Sequence, residues 1–246
     1  MNRSSRAVAA LVLASASFAF APLASADEAA IRKTITERLP NFPAIDEISK
    51  SSVPGLYELR IGTDIFYTDE QGNYLIEGQM IDTKTRVNLT EQRIAKLTAI
   101  DFKALPLKDA MVWKQGTGER KLVVFADPNC GYCKKFERDL QAVKDVTVYT
   151  FLYPILGGDS PEKSKQIWCA KDNTKAWRDW MLNGTQVSGS PQCDVSALQR
   201  NYAFGQKHRI RGTPGLVFED GRQQAGALNT EQIEKQLVAT RTKTPG

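Results

Sequence analysis

The chain has 246 residues, of which 41% are hydrophobic and 25% are charged. These proportions are those of an ordinary globular protein, and they exclude a disordered chain, a collagen and a disulfide-dense miniprotein. The formal net charge of +5 is modest, and the length is enough for one large domain or two small ones. The sequence contains no internal repeat and no low-complexity segment.

The first 26 residues have the pattern of a secretory signal peptide. Arg3 and Arg6 precede an apolar run from Ala7 to Phe20, and Ala24-Ser25-Ala26 supplies the small residues of a cleavage site. The run is shorter than the roughly 20 residues that span a bilayer. Cleavage after Ala26 removes two arginines and no acidic residue, so the mature chain carries only +3. We therefore expect an exported protein without a nucleic-acid partner.

Residues 27–88 predict a small α+β domain. Three apolar residues at four-residue spacing predict a helix that ends before Pro40: Ile31, Ile35 and Leu39. Alternating apolar residues predict three strands, at residues 56–61, 64–68 and 74–77. A unit of about 60 residues buries too little surface to be comfortably stable alone, which indicates a partner surface. Gly78 falls within a strand pattern, where glycine marks either a bulge or a close backbone approach.

A helical connector and a second domain follow. Thr90 predicts the cap of a linker helix, residues 89–108, that runs to about Leu105 and is closed by Pro106. The second domain, residues 109–246, begins with a buried strand at 121–125, then a helix after Cys130 and a strand at 146–153. Ser160 predicts the cap of a helical run to about Met181. Further elements are a helix at 195–206, a strand at 216–218 and a terminal helix from residue 230.

All four cysteines lie after the signal segment. In an oxidising compartment they form disulfides unless a reductant keeps the thiols reduced, and four cysteines allow three pairings. Two of them stand in the tetrapeptide Cys130-Gly131-Tyr132-Cys133, and Cys169 and Cys193 lie 24 positions apart.

A Cys-x-x-Cys that opens a helix directly after a buried strand predicts a redox dithiol. The first thiol lies where the N–H groups of the helix start converge, so its thiolate is stabilised and its pKa falls. The second thiol lies one turn later, close enough to close a small ring after attack on a foreign disulfide. Lys134 and Lys135 add positive charge nearby.

Four other uses of these cysteines fit less well. A zinc site needs four ligands, and the chain has no second Cys-x-x-Cys and only one histidine, His208. Covalent haem attachment needs a histidine at position 134, which is a lysine. A Cys/His hydrolase would have to use His208 without other support, and a static disulfide across a helix start is unusual. No metal and no cofactor is expected.

The mature chain resembles the DsbC family of periplasmic protein-disulfide isomerases of Gram-negative bacteria. The resemblance rests on the export signal, the small N-terminal domain, the linker and four motifs. The motifs are Val124 to Cys133, Ile167-Trp168-Cys169-Ala170-Lys171-Asp172, Cys193-Asp194-Val195 and Gly212-Thr213-Pro214.

The resemblance implies a mixed fold (α+β followed by α/β). It consists of a thioredoxin-like catalytic domain with a helical insertion, preceded by a small cystatin-like dimerisation domain and the linker helix. It implies that Cys130 is the nucleophile, that Cys133 is the resolving thiol, and that Cys169 and Cys193 form a structural disulfide. Thr213 and Pro214 would form a cis-proline loop that positions substrate, although an X–Pro bond is more often trans.

The resemblance also implies a V-shaped homodimer in the periplasm, joined through the N-terminal domains. We expect Gly78 at the dimer interface, because glycine permits the close backbone approach of strand edges that pair across a two-fold axis. Its substrates would be misoxidised exported proteins, and a DsbD-type membrane thiol reductase would supply electrons. Val124 stands where thioredoxin has a buried acid, so the proton-transfer group is not identified; Asp127 is near. The alternatives are a DsbG-like or DsbA-like oxidoreductase, or a chaperone without redox turnover.

Overall fold

The computed structural model describes residues 26–187 and 192–241. The predicted signal peptide lies outside this part of the chain, apart from Ala26. Within the described ranges, no helix combines the length and apolar character needed to span a membrane. The chain divides into two compact units at Gly78, whereas the sequence predicts the end of the N-terminal domain at residue 88.

The first unit is one helix on a four-stranded antiparallel sheet. Its elements are α1 (Ala26–Arg38), β1 (Glu47–Lys50), β2 (Leu56–Ile61), β3 (Asp64–Asp69) and β4 (Leu75–Ile76), with the strands in sequential order. The core consists of the apolar face of α1 and the alternating inward residues of the strands: Ile31, Ile35, Ile45, Ile48, Tyr57 and Leu59. The predicted strand at 74–77 is only two residues long, and β1 was not predicted.

The predicted extent of the linker helix is wrong. A short hairpin, β5 (Ile81–Asp82) with β6 (Val87–Asn88), precedes α2 (Leu89–Leu97), and the Asn88 side chain caps the helix by accepting from Glu91 N at 3.1 Å. Thr90 lies inside the helix. The helix stops at Leu97 because Ile100 and Leu105 are drawn into the core of the second unit. Two 3₁₀ turns, Phe102–Ala104 and Leu107–Asp109, complete the segment.

The second unit is built on a five-stranded sheet. Its strands are β7 (Met111–Gln115), β8 (Arg120–Ala126), β9 (Val146–Leu152), β10 (Gly215–Phe218) and β11 (Gln223–Ala225), in the order β11-β10-β8-β9-β7. The central pair β8–β9 is parallel and the other pairs are antiparallel. Both faces of β8 are covered, because Leu122 and Val124 pack in one core and Val123 and Phe125 in the other.

Besides α2, the described part of this unit contains five helices: α3 (Gly131–Leu140), α4 (Ser160–Trp168), α5 (Asn173–Asn183), α6 (Ser196–Lys207) and α7 (Thr230–Arg241). The helical run predicted from Ser160 to Met181 is two helices, because Asp172 starts α5 by accepting a hydrogen bond from Lys175 N at 2.9 Å. Asp159, not Ser160, occupies the cap position of α4. The segments α4, α5 and α6 form the insertion between β9 and β10.

The packing of α6 against β9 leaves no room for a side chain at position 205. A Cβ on Gly205 would lie 2.5 Å from the ring of Tyr153, and that ring is fully buried with its hydroxyl donating to Ile210 O at 3.0 Å. Because the ring is rigid and pinned at both ends, it has no easy way to move aside.

We expect Gly205→Ala to destabilise the protein by about 1–3 kcal/mol through this clash. At an exposed helix position the same change would stabilise by up to about 1 kcal/mol, so the sign of the effect tests the packing. Urea unfolding of the reduced protein provides the measurement, with Gln199→Ala on the exposed face of α6 as the control. A Gly205→Ala protein as stable as the wild type would show that the helix sits further from Tyr153.

Candidate redox site

The turn between β8 and α3 sets the position of Cys130. Asp127 receives three hydrogen bonds through its buried carboxylate, from Asn129 N at 2.8 Å, Leu156 N at 2.9 Å and Ser160 Oγ at 2.7 Å. The Cys130 N–H donates to Asp127 O at 3.0 Å, which closes the turn. The Asp127 carboxylate therefore holds the turn through three accepted hydrogen bonds.

Cys130 is the N-cap residue of α3, and its sulfur accepts a hydrogen bond from Cys133 N at 3.2 Å. The hydrogen bond with the Cys133 thiol, the Thr213 hydroxyl and the N–H groups of Cys133 and Tyr132 lower the pKa of Cys130 to about 6, although burial acts in the opposite direction. All of these groups favour a negative charge on the sulfur. At neutral pH the thiol is therefore largely ionised.

Cys133 is in the opposite state. It is 1% exposed, against 4% for Cys130, and burial raises its pKa far above the ordinary value, with the Cys130 sulfur adding to the effect. Both cysteines are free thiols. The site thus holds one sulfur ready to attack and one that stays protonated until its neighbour has reacted.

The loop before β10 faces this pair. The Thr213–Pro214 peptide bond is cis, and β10 lies beside β8 with Gly215 opposite Phe125. This register brings the Thr213 carbonyl to 3.2 Å from the Cys130 sulfur, where the protonated thiol can donate to it.

Cys169 and Cys193 are joined by a disulfide with a Cα–Cα distance of 5.6 Å. Cys169 is the C-cap of α4, and Cys193 precedes α6, so the bond ties the end of the first helix of the insertion to the start of its last helix. Gly78 follows β4 in the first unit, and a Cβ built there would meet no atom of the described residues within 4 Å. Contacts among the described residues therefore do not account for a glycine at this position.

The remaining polar candidates have structural partners. His208 is the C-cap of α6 and stacks on Phe204 at 4.2 Å between ring centroids. Lys135 forms an ion pair with Asp139 at 2.6 Å. Across the described ranges, no group of three or more His, Cys, Asp or Glu side chains is arranged to hold a metal ion.

Sequence reasoning missed two residues near the dithiol. Glu137 is buried on α3, its Oε1 accepts from Trp177 Nε1 at 2.6 Å, and burial raises its pKa to about 7. Its position four residues after Cys133, on the apolar face of α3, was the available signal. Trp180 donates from Nε1 to Pro128 O at 2.6 Å, a contact between segments 52 positions apart that no local pattern indicates.

We expect the alkylation rate of Cys130 in the reduced protein to rise with pH around a midpoint of about 6, instead of the ordinary 8.5 or so. The sign follows from the lowered pKa, because the reactive thiolate is already formed above the midpoint. Iodoacetamide rates from pH 4 to 9 provide the measurement, with Cys133 protected by burial. A rate that climbs only above pH 8 would contradict the geometry described for Cys130.

Two family models match the chain. One, described as a thioredoxin-like domain, covers residues 107–241, and the other, described as a disulfide bond isomerase protein N-terminal domain, covers residues 22–91. Together they confirm the predicted fold class, a thioredoxin-like domain preceded by a DsbC-type N-terminal domain.

Relatives over most of the chain carry the same family name. A probable thiol:disulfide interchange protein DsbC of Bordetella pertussis is 42% identical over 209 residues, which cover 85% of this chain and 73% of the relative. The thiol:disulfide interchange protein DsbC of Escherichia coli is 29% identical over 235 residues, 93% of this chain and 94% of the relative. A crystal structure of a disulfide interchange protein from Neisseria gonorrhoeae superposes with a TM-score of 0.52 at 38% identity, and covers 55% of this chain and 97% of that one. The chain belongs to the DsbC family of thiol:disulfide interchange proteins.

Proposed function

We propose that this protein is a periplasmic protein-disulfide isomerase that rearranges non-native disulfides in exported proteins. The observation that carries the proposal is the geometry of the two thiols: the Cys130 sulfur caps α3 and accepts from Cys133 N at 3.2 Å, while Cys133 is buried. The lowered pKa of Cys130 and the raised pKa of Cys133 agree with this geometry. The N-terminal domain supports isomerisation over simple oxidation, because it matches a model described as that of a disulfide bond isomerase.

The proposed cycle begins with the Cys130 thiolate. It attacks one sulfur of a client disulfide, so that a Cys130–client bond forms, the client bond breaks and the other client sulfur leaves as a thiolate. A further client thiolate then attacks the client sulfur of this mixed disulfide. A new client disulfide forms, Cys130 returns as a thiolate, and no net oxidation occurs.

Cys133 provides the way out when no client thiolate arrives. After losing its proton, it attacks the Cys130 sulfur and releases the client sulfur as a thiolate, which leaves a Cys130–Cys133 disulfide. The client has then gained two electrons, and the protein must regain them from a reductant. A DsbD-type membrane thiol reductase is the partner we propose for this step.

Thr213 and Pro214 are the proposed positioning loop for the client backbone. The Thr213 carbonyl already lies within hydrogen-bond distance of the Cys130 sulfur. Two exposed apolar side chains lie near the turn that precedes Cys130. Tyr132, 71% exposed, follows Cys130 by two residues, and Leu156, 56% exposed, donates its backbone N–H to Asp127. Such side chains suit contact with an unfolded, apolar client, which also supports a chaperone-like hold on it.

The Cys169–Cys193 disulfide is proposed to be structural. It closes a loop with a sequence separation of 24, for which the chain-entropy model gives about 3 kcal/mol of stabilisation. It ties the insertion that contacts the turn before Cys130, and neither cysteine is among the groups that lower the pKa of Cys130.

We propose that residues 27–88 form a dimerisation domain. The edge strand β4 and the residue before it expose apolar side chains, Tyr74, Leu75 and Ile76, and an exposed apolar strand edge invites pairing with a copy of itself. Gly78 lies two residues after β4, and a Cβ built there would meet no described atom within 4 Å, which fits a contact with a second copy.

Other activities remain as outcomes of the test. A DsbA-like oxidase would transfer its disulfide to reduced clients but would not unscramble wrong ones. A chaperone without redox turnover would suppress aggregation but would fail to reduce insulin.

We expect the wild-type protein to restore activity to scrambled ribonuclease in a mild glutathione buffer. Cys130→Ser should lower the rate at least about 100-fold, because the attacking sulfur is gone. Cys133→Ala should retain the first attack and accumulate mixed disulfides, which non-reducing electrophoresis detects. The rate of ribonuclease recovery is the measurement, and insulin reduction runs in parallel.

The double variant Cys169→Ala with Cys193→Ala is the control: it removes a disulfide that is proposed to take no part in the reaction. It should lower the melting temperature but keep most activity per folded molecule. A Cys130→Ser protein that still unscrambles ribonuclease would remove Cys130 from its proposed role. A wild-type protein that reduces insulin but leaves scrambled ribonuclease inactive would favour the oxidoreductase alternatives.

We expect the mature protein to sediment as a dimer at micromolar concentration, and Gly78→Trp to shift it to a monomer. The variant should keep insulin reduction but lose most ribonuclease unscrambling, because the client is no longer held between two catalytic domains. Lys33→Trp, on an exposed face of α1, is the matched control for a bulky surface substitution. A wild-type monomer with full isomerase activity would overturn this use of the N-terminal domain.

A further inference from the structure

The turn before Cys130 is held from outside by the helical insertion. Trp180 on α5 donates from its indole Nε1 to Pro128 O at 2.6 Å. Lys163 on α4 donates from Nζ to Asn129 Oδ1 at 2.7 Å. Two consecutive residues of the turn are therefore fixed by two different helices, in addition to the three hydrogen bonds that the Asp127 carboxylate accepts.

The indole of Trp180 also contacts α3, the helix that carries Cys133. Lys134, the residue directly after Cys133, places its Nζ 4.3 Å from the centre of the Trp180 ring. Lys163 places its Nζ 4.2 Å from the same ring. An ammonium group at this distance is attracted by the negative face of an indole. Trp180 thus joins the residue pair before Cys130 to the residue after Cys133 by contacts of two kinds.

The two lysines differ in their charge environment. Lys163 pairs with Asp159 at 3.1 Å and its side chain is only 18% exposed, so its charge is largely balanced. Its contribution to the turn is therefore the hydrogen bond to Asn129 rather than a free positive charge. This distinction decides which control variants are needed below.

The reactivity of Cys130 depends on the geometry that these contacts hold. Its sulfur receives the Cys133 N–H only because the turn delivers Cys130 to the cap position of α3. A hydrogen bond weakens steeply when its angle or length departs from the optimum. A turn that moved by a few tenths of an ångström would loosen the N–H contact without disturbing the core of the unit.

We propose that Trp180, assisted by Lys163, is a positioning residue for the Cys130 sulfur: it clamps the Pro128-Asn129 turn and so keeps the thiolate aligned with the N–H groups at the start of α3. Trp180 touches neither thiol in this role and acts through the backbone of the turn. The proposal rests on Cys130 being the attacking thiol.

The test replaces the indole donor and leaves an aromatic ring. Trp180→Phe removes the N–H that binds Pro128 O. Trp168→Phe is the matched control, because Trp168 also lies in the insertion, packs on the same core and donates from Nε1 to a backbone carbonyl, that of Asp194, at 3.0 Å. Both variants are made in the full mature chain, and iodoacetamide alkylation of Cys130 is followed against pH.

We expect Trp180→Phe to move the midpoint of Cys130 ionisation upward by about half to one pH unit. A shift of this size corresponds to the net free energy that one hydrogen bond contributes to a folded protein. Below the midpoint the thiolate fraction falls about three- to tenfold. Trp168→Phe should leave the midpoint unchanged even if both variants lower the melting temperature alike. An unchanged midpoint in folded Trp180→Phe, or an equal shift in Trp168→Phe, would overturn the proposal.

A second pair of variants covers the case in which Trp180→Phe does not fold. Lys163→Met removes the bond to Asn129 at the surface, and Lys165→Met removes a charge from the same helix, where Lys165 pairs with Glu162. We expect the midpoint to rise in Lys163→Met and not in Lys165→Met, and equal shifts in the two would reduce the effect to charge and overturn the clamp.

These readouts do not use isomerase turnover. If scrambled ribonuclease is not rescued but the Cys130 midpoint shifts as described, the proposed function fails and the positioning role stands. If ribonuclease is rescued and the midpoint does not shift, the positioning role fails alone.

Discussion

The hydrogen bond from the Cys133 backbone N–H to the Cys130 sulfur is the interaction on which the rest of the site depends. It exists only where a helix begins at the sulfur itself, because there the N–H groups of the first turn have no partner within the helix. The buried strand β8 has to end at Ala126 for the turn to deliver Cys130 to that position. The neighbouring strand β10 then has to lie in register, so that the Thr213 carbonyl reaches the same sulfur as an acceptor for the protonated thiol. The sheet order thus places a backbone donor and a backbone acceptor around one atom.

Cys130, the N-cap of α3, and Glu137, on α3, make the stability of the fold depend on pH in opposite directions. The pKa of Cys130 is lower in the fold than in the unfolded chain, so its stabilisation of the reduced protein is complete above about pH 9 and is lost as the pH falls through about 6. The pKa of Glu137 is raised to about 7, so its contribution is present below about pH 4.5 and is lost as the pH rises through 7. The summed contribution of Cys130 and Glu137 to the stability of the reduced form is therefore smallest between about pH 6 and about pH 7. Oxidation to the Cys130–Cys133 disulfide removes the pH-dependent contributions of both cysteines, because a disulfide sulfur does not titrate, and the contribution of Glu137 remains.

The parts that the sequence predicts well are those with a local cause. The Cys-x-x-Cys at a helix start and the strand at 121–125 each follow from residues within a few positions of one another, whereas the cis-proline loop at Pro214 follows only from the family resemblance. The length of α2 does not follow from nearby residues, because Ile100 and Leu105 leave the helix to fill a core made by distant strands. The ionisation of Glu137 depends on Trp177, 40 positions away, and the contact of Trp180 with Pro128 spans 52 positions. Propensity and periodicity carry no information about partners at that range.

The depth of Cys133 has a consequence for the proposed cycle. A mixed disulfide between Cys130 and a client has two fates, attack by a client thiolate or attack by Cys133. The second needs the Cys133 thiolate, which burial makes costly, so the mixed disulfide persists while client thiols sample it. A resolving thiol with an ordinary pKa would release the client quickly in reduced form and favour net reduction. The burial that keeps Cys133 protonated therefore favours rearrangement, because rearrangement requires only that the client remain attached long enough to offer a second sulfur.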